Sequence, residues 1–236
     1  MKIDDFDDPE FIVDNAIIAQ RTLLSGFWGF NGVDRNKLEE AQFPNQAAIS
    51  LSGEPTLYDR LPELIEEFHK RNFTTFVVSN GTNPSMLEKI RPTQLYLTIP
   101  APDKEMYRRV CNPLIKDGWE KLMESIKILA GIKNKQRTVV RLTLVRGLNM
   151  VEPKKYANLI SEANPDYIEL KAYMAVGFSR GRLGVTFMPL HDEIKKFADE
   201  ILKESSYLFV DEHPRSRVVL LARDDDAKEN RMLNAE

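Results

Sequence analysis

Cysteine is almost missing from this chain: among 236 residues only Cys111 carries a thiol. A disulfide framework, or a C-x2-C metal knuckle built from this chain alone, is excluded on that count. Histidine is nearly as scarce. His69 falls on a polar helix face, His191 at a helix start beside Asp192 and His213 in a turn, so all three read as structural or solvated. No run of 18 apolar residues occurs, and the opening Met1-Lys2-Ile3-Asp4-Asp5-Phe6-Asp7-Asp8 is acidic with no apolar stretch. Neither a membrane span nor a secretory signal is therefore visible, and a cytoplasmic protein is expected. A basic excess is also lacking: the net charge is -3. Non-specific nucleic-acid affinity comes mainly from Lys and Arg, so any RNA contact must be a local patch.

What is present is a 42% apolar composition, enough to bury a full core in one large domain. From residue 47 onward, short β-branched runs alternate with longer amphipathic segments, the pattern of repeated βα units around a parallel sheet. Strands are expected at 47–51, 74–78, 94–99, 138–145, 166–172 and 216–221. Helices are expected at about 60–71, 84–90, 103–111, 117–131, 153–163 and 190–204, with Cys111 a half-buried bystander at the end of one of them. A further helix at about 9–24 opens on Pro9 and leads into a Gly and aromatic loop, Gly26 to Gly32. A βαβ fold that opens on a helix is expected to lack its first β element. Residues 1–222 are read as one core and the charged stretch 223–236 as a disordered tail.

Polar clusters follow the strands rather than precede them: Ser52-Gly53-Glu54-Pro55, Ser79-Asn80-Gly81, Pro100-Ala101-Pro102, Arg146-Gly147-Leu148-Asn149 and Tyr173-Met174. In α/β barrels and doubly wound sheets the site forms at the carboxyl ends of strands, so these clusters should share one rim. Alternation also assigns Tyr96 and Thr98, Arg141 and Thr143, and Glu169, Lys171 and Tyr173 to one face of their respective strands. Parallel strands covered on both faces are usually continuously apolar. Three interrupted strands therefore point to a polar lumen, the alternative being edge strands with a wet face. An arginine there needs an anion, either a ligand carboxylate or Glu169. Lys171 reads equally as a proton-transfer or Schiff-base lysine and as a salt-bridge partner of Glu169. Ser52-Gly53-Glu54-Pro55 reads either as a carboxylate aimed at a ligand ammonium or as an ordinary βα turn.

These residues resemble a known family. Ile49 to Tyr58 (ISLSGEPTLY) is similar to the "GGEP" element of radical-SAM enzymes, in the form found in tRNA 4-demethylwybutosine synthases of the archaeal, single-domain type. The likeness continues through Thr74–Gly81, Pro92–Thr98, Arg141–Gly147, Glu169–Met174 and Val176–Leu183. It implies a partial (β/α)6 TIM-like barrel that binds S-adenosyl-L-methionine (SAM) against a 4Fe-4S cluster, generates a 5′-deoxyadenosyl radical, and joins pyruvate carbons to an N1-methylguanosine of tRNA(Phe). By position, Ser52, Gly53 and Glu54 would hold the SAM amino group, Ser79 and Asn80 its ribose or methionyl part, and Arg141 its carboxylate, with Thr98 and Thr143 alongside. Lys171 and Tyr173 would line the substrate pocket. Arg180 and Arg182 would face the tRNA, with Lys133, Lys135 and Arg137 as weaker candidates, unless these charges are simply solvated.

The departure from the family lies in the metal. Its C-x3-C-x2-C loop and first strand are expected upstream of Pro9, together with further cysteines and a pyruvate-binding lysine, so Lys171 does not inherit that lysine's role. One cysteine cannot replace three thiolates. Two readings follow: a piece of an active enzyme, inactive by itself and completed by an N-terminal chain, or a SAM- or tRNA-binding module without radical chemistry.

Overall fold

The computed structural model describes residues 6–50, 53–132 and 135–233. Chain entry is set by Asp8, whose carboxylate accepts from Glu10 N at 3.0 Å and so caps α1 (Pro9–Leu24), with Pro9 in the first turn where its missing N–H costs nothing. After α2 (Arg35–Ala41) the βα alternation begins: β1 (Gln46–Ile49), α3 (Leu61–Lys70), β2 (Thr74–Ser79), α4 (Pro84–Leu87), β3 (Gln94–Thr98), α5 (Lys104–Cys111), α6 (Gly118–Ile132), β4 (Arg137–Leu144), α7 (Pro153–Ala163) and β5 (Tyr167–Ala172). Then follow α8 (His191–Lys203), β6 (Leu208–His213), β7 (Val218–Ala222) and α9 (Asp225–Glu229).

The seven strands form one mixed α/β sheet in the order β1-β2-β3-β4-β5-β7-β6. The first five pair in parallel, while β7 runs antiparallel to both β5 and β6. A cavity of about 350 Å³ touches Gln46 of β1 and also Val218 and Leu220 of β7, so the sheet curls around it. The outer face carries Leu95, Leu97, Val140, Leu142, Ile168 and Leu170, which pack with Leu64, Ile65, Leu122, Ile126, Ile160 and Ile194 of the helices into the main core. A smaller cluster of Val139, Tyr167, Ala222 and Ala227 fills the inner face at the amino ends of the strands.

The expected parallel run ends one strand early. In place of a sixth parallel strand at 216–221 stands the antiparallel pair β6 and β7. Strand β6 escapes sequence reading because Asp211-Glu212-His213 break its apolar run, and its side chains alternate between half-buried and exposed, as on an edge. Helix α2 was also unforeseen: Asp34 caps it through the N–H groups of Asn36 and Lys37, and only Leu38 is buried. The stretch after Arg223, expected to be disordered, carries α9. Its Ala227 is buried, its carbonyl accepts from Tyr167 OH at 2.6 Å, and Arg137 donates to the carbonyls of Asn230 and Arg231. Its acidic residues masked the Asp224 cap that starts it.

Candidate functional site

The strand registers stack the inner face in rows. Lowest are Phe76, Gln94 and Arg137, then Val78, Tyr96, Val139 and Tyr167. Above them lie Thr98, Arg141, Glu169 and Leu220, and then Thr143, Lys171 and Val218. The lumen thus begins at the amino ends with a row that mixes Phe76 with Gln94 and Arg137, passes through an aromatic and apolar row, and carries Arg141, Glu169 and Lys171 towards the carboxyl ends. This is the polar lumen that interrupted alternation implies, built from three neighbouring interior strands and not from wet edges.

Arg141 is the centre of the charged row. Its Nε and Nη2 donate to the two carboxylate oxygens of Glu169 at 2.8 and 3.3 Å, and its guanidinium lies 4.5 Å from the centroid of the Tyr96 ring. Both charged side chains are only 22% and 14% exposed. Burial, with the Glu169 charge adding to it, pushes the Tyr96 hydroxyl above the usual phenol range, so it stays protonated and donates or accepts as a neutral group. Of the two anions weighed for Arg141, the structure supplies Glu169. Because Glu169 is engaged there, the alternative Glu169 salt bridge for Lys171 is not made: Lys171 has no ion pair among the described residues, and it stands half-buried beside Thr143. Three of the five guanidinium N–H groups of Arg141 stay free of Glu169 and can meet a second anion.

The turn after β1 is held by one carboxylate. Glu54 Oε1 accepts from Thr56 N at 3.2 Å, Thr56 Oγ1 at 2.7 Å and Ser79 Oγ at 2.8 Å, while Oε2 accepts from Asn80 N at 2.7 Å. Ser79 is buried and its hydroxyl also accepts from Gly81 N, so it is committed on both sides. Its place is in this brace. Asn80 is exposed; its Oδ1 accepts from Thr82 N and Oγ1. Gly53 sits at φ +77° with open space where a Cβ would be, a backbone free to approach a ligand. Ser52 and Lys133 lie outside the described residues.

Two rim residues were missed by sequence reading. Asn149 is buried, accepts from Val145 N at 2.6 Å and donates to the carbonyls of Pro100 and Thr143 at 2.8 and 2.9 Å, stitching the ends of β3 and β4 together. Thr56 is fully buried in the Glu54 brace. The sequence signals were slight: Asn149 closes the polar cluster after β4, and Thr56 lies in the family-like run Ile49–Tyr58 just past the cluster after β1. Beyond β5, Tyr173 OH donates to the carbonyls of Ser179 and Leu183, and Arg180 and Arg182 are exposed on the following turn. Arg137, by contrast, is bound to the chain after α9 at the opposite end of the strands, and Lys135 lies just before β4 at that same end. Cys111 presents exposed surface, and desolvation pushes its thiol up to about 11, away from thiolate character.

Residues 35–160 match the model of the radical SAM superfamily, and residues 162–223 match that of wyosine base formation. The tRNA 4-demethylwyosine synthase of Methanocaldococcus jannaschii is 43% identical over 230 residues, covering 97% of this chain and 71% of that protein. This chain belongs to the radical-SAM tRNA 4-demethylwyosine synthase family. The synthase of Pyrococcus abyssi is 53% identical over 226 residues, 93% of this chain and 66% of its own length. The chain thus spans about two thirds of the archaeal relatives. The human synthase is 34% identical over 219 residues, 30% of that protein. Among solved structures, TYW1 with a lysine-pyruvate adduct bound superposes with a TM-score of 0.84 at 42% identity, covering 98% of this chain and 72% of that one. These relatives are named for 4-demethylwyosine, which replaces 4-demethylwybutosine as the family's product.

The family uses SAM and a 4Fe-4S cluster. For SAM the residues fit: a Gly with positive φ and an open Cβ direction beside a carboxylate, and an arginine with unused donors inside the lumen. For the cluster they do not. No group of three His, Cys, Asp or Glu suited to a metal occurs among the described residues, and the whole chain has one thiol where such clusters take several.

Proposed function

We propose that this chain is the SAM-binding body of an enzyme that converts N1-methylguanosine of tRNA(Phe), with pyruvate as carbon donor, into the tricyclic 4-demethylwyosine base. The observation that carries the reading is the shared rim: Gly53 and Glu54, Asn80, Thr98, Arg141 and Thr143 all lie at or towards the carboxyl ends of adjacent parallel strands. Glu54 would hold the SAM ammonium, Asn80 its ribose or methionyl part, and Arg141 its carboxylate, while Ser79 supports Glu54. SAM, when bound, would supply the radical chemistry of the family, and the residues of this chain would bind and orient it. Lys171 and Tyr173 border the substrate pocket, and Arg180 and Arg182 meet the tRNA. The chain's proposed place of action is the cytoplasm; separately, no helix among the described residues is long and apolar enough to cross a membrane.

The cluster ligands belong to a complementing N-terminal segment. A groove of about 270 Å³ along β1, lined by Ile17, Pro44, Ala47, Ile49 and Phe73, offers that segment an apolar seat. Equilibrium dialysis with labelled SAM tests the binding reading: the wild-type chain binds, and Glu54→Gln and Arg141→Met each weaken binding at least tenfold. Equal binding by all three overturns the site. Anaerobic reconstitution with iron and sulfide is expected to give no 5′-deoxyadenosine from the chain alone, and to give it when the cysteine-bearing segment of the family is supplied. Failure of the second mixture, with SAM binding intact, favours the binding module without radical chemistry, for which the single thiol speaks.

A further inference from the structure

Between Glu169 and Asp192 there is no carboxylate, in a chain that has 36 of them. Within that interval a short 3-10 turn, Gly177–Gly181, follows β5 on the rim. It is tightly fastened. Ser179 Oγ donates to Val176 O at 2.6 Å and accepts from Val176 N at 3.1 Å, and Arg180 Nε donates to Ala175 O at 2.9 Å. Tyr173 OH clamps both flanks through Ser179 O and Leu183 O at 3.1 and 2.7 Å. At the head of this pinned turn Phe178 is 96% exposed, beside exposed Val176 and Val185. No ion pair is made by Arg180 or Arg182 among the described residues.

A lone exposed apolar side chain is ordinary. This one differs because hydrogen bonds fix the backbone of the turn while the ring stays exposed, and because the stretch of chain that carries it, residues 170–191, holds Lys171, Arg180 and Arg182 and no carboxylate. A flat ring beside guanidinium groups suits an unpaired base on a phosphate backbone: the base stacks on the ring and the phosphates meet the arginines. We infer that Phe178 is a stacking platform for an unpaired base of the RNA substrate, positioning the loop that delivers the reacting base to the rim. The inference rests on the reading that this chain acts on tRNA. A protein partner would also bury Phe178, but the interval offers it three like charges, Lys171, Arg180 and Arg182, and no acidic counterpart.

Fluorescence anisotropy with labelled tRNA(Phe) transcript, at several KCl concentrations, tests this on the full 236-residue chain. Wild type is expected to bind with a clear salt dependence. Phe178→Ala should weaken binding about five- to hundredfold without changing the slope of log K against log salt, as stacking carries no charge. Phe178→Trp should restore affinity, and its added fluorescence should be quenched on binding. Arg182→Ala should instead reduce the slope by about one. A fully paired RNA duplex should bind Phe178→Ala and wild type alike. If wild type binds the transcript and Phe178→Ala binds equally well, the platform is refuted while the tRNA reading stands; a protein-docking role for Phe178 gives that same result. If Phe178→Trp fails to rescue, the ring serves the turn's fold and the platform is again refuted. No binding by wild type in any salt overturns the tRNA reading itself.

Discussion

Replacing Arg141 by Met tests the electrostatic centre of the lumen. The pair with Glu169 sits between two regimes: losing one member of a fully buried pair costs about 3–5 kcal/mol, and exposed pairs contribute about 0–1. With side-chain exposures of 22% and 14% and two direct hydrogen bonds, the pair lies nearer the buried limit. Arg141 also stacks over Tyr96, a contact of about 0.5–2 kcal/mol when partly desolvated. Arg141→Met leaves the Glu169 carboxyl group without its partner in the lumen and is expected to cost about 2–3 kcal/mol, a melting temperature lower by roughly 5–10 °C for a chain of this size. Glu169→Gln keeps an acceptor for the guanidinium and should cost less, about 1–2 kcal/mol. The double variant removes both charges, so its loss should fall short of the sum by about 1–2 kcal/mol. Urea unfolding of all four proteins measures this. An Arg141→Met loss below about 0.5 kcal/mol, or strict additivity in the double variant, would refute the pairing argument.

Gly81→Ala and Gly53→Ala share a left-handed backbone, φ +75° and +77°, but a Cβ at 81 meets Leu97 Cδ1 at 2.8 Å and Leu122 Cδ1 at 2.9 Å, whereas one at 53 meets nothing. Thermal unfolding should show a loss of about 1–2 kcal/mol at 53 and about 1–3 kcal/mol more at 81; equal losses would mean the contact is relieved for free. Asp103 is held below the usual carboxylate range first by the Met106 N–H and then by Lys155, and Glu193 by its hydrogen bond to Arg146. Depressed carboxylates stabilise above their unfolded values, about 3.9 and 4.3, and lose that contribution as pH falls through their folded values, so melting temperature should drop mainly below about pH 4. Asp103→Asn should flatten that acid limb in a pH series of melts, and an unchanged slope would count against it. Arg137→Ala frees the carbonyls of Asn230 and Arg231, so limited proteolysis should clip beyond residue 224 faster than in wild type, leaving the rest of the chain intact.

The parallel core was legible because a buried parallel strand writes itself as an apolar run, and the lumen because Arg141 and Glu169 interrupt such runs at even spacing. Strand β6 and helix α9 were not: β6 is a half-exposed edge whose apolar run is cut by Asp211-Glu212-His213, and α9 is short and written mostly in charged residues, its order coming from partners distant in sequence, Tyr167 and Arg137. For the rim, residue type and position pointed to the right turns, but not to how the groups divide their work. Ser79 and Glu54 looked like two ligand groups. The structure shows a hydroxyl spent on a carboxylate, a pairing 25 positions apart that no local pattern announces. Asn149 was hidden for the same reason, its value lying in carbonyls from two other strands.

Because a single carboxylate ties the turn after β1 to the turn after β2, positions 54, 56 and 79 are one unit of inheritance. A change at 54 strands the donors of Thr56 and Ser79, and a change at 56 or 79 leaves the Glu54 carboxylate short of a donor, so related chains should exchange the three together or not at all. Random mutagenesis with selection for folded protein should recover second-site revertants within this trio far more often than elsewhere.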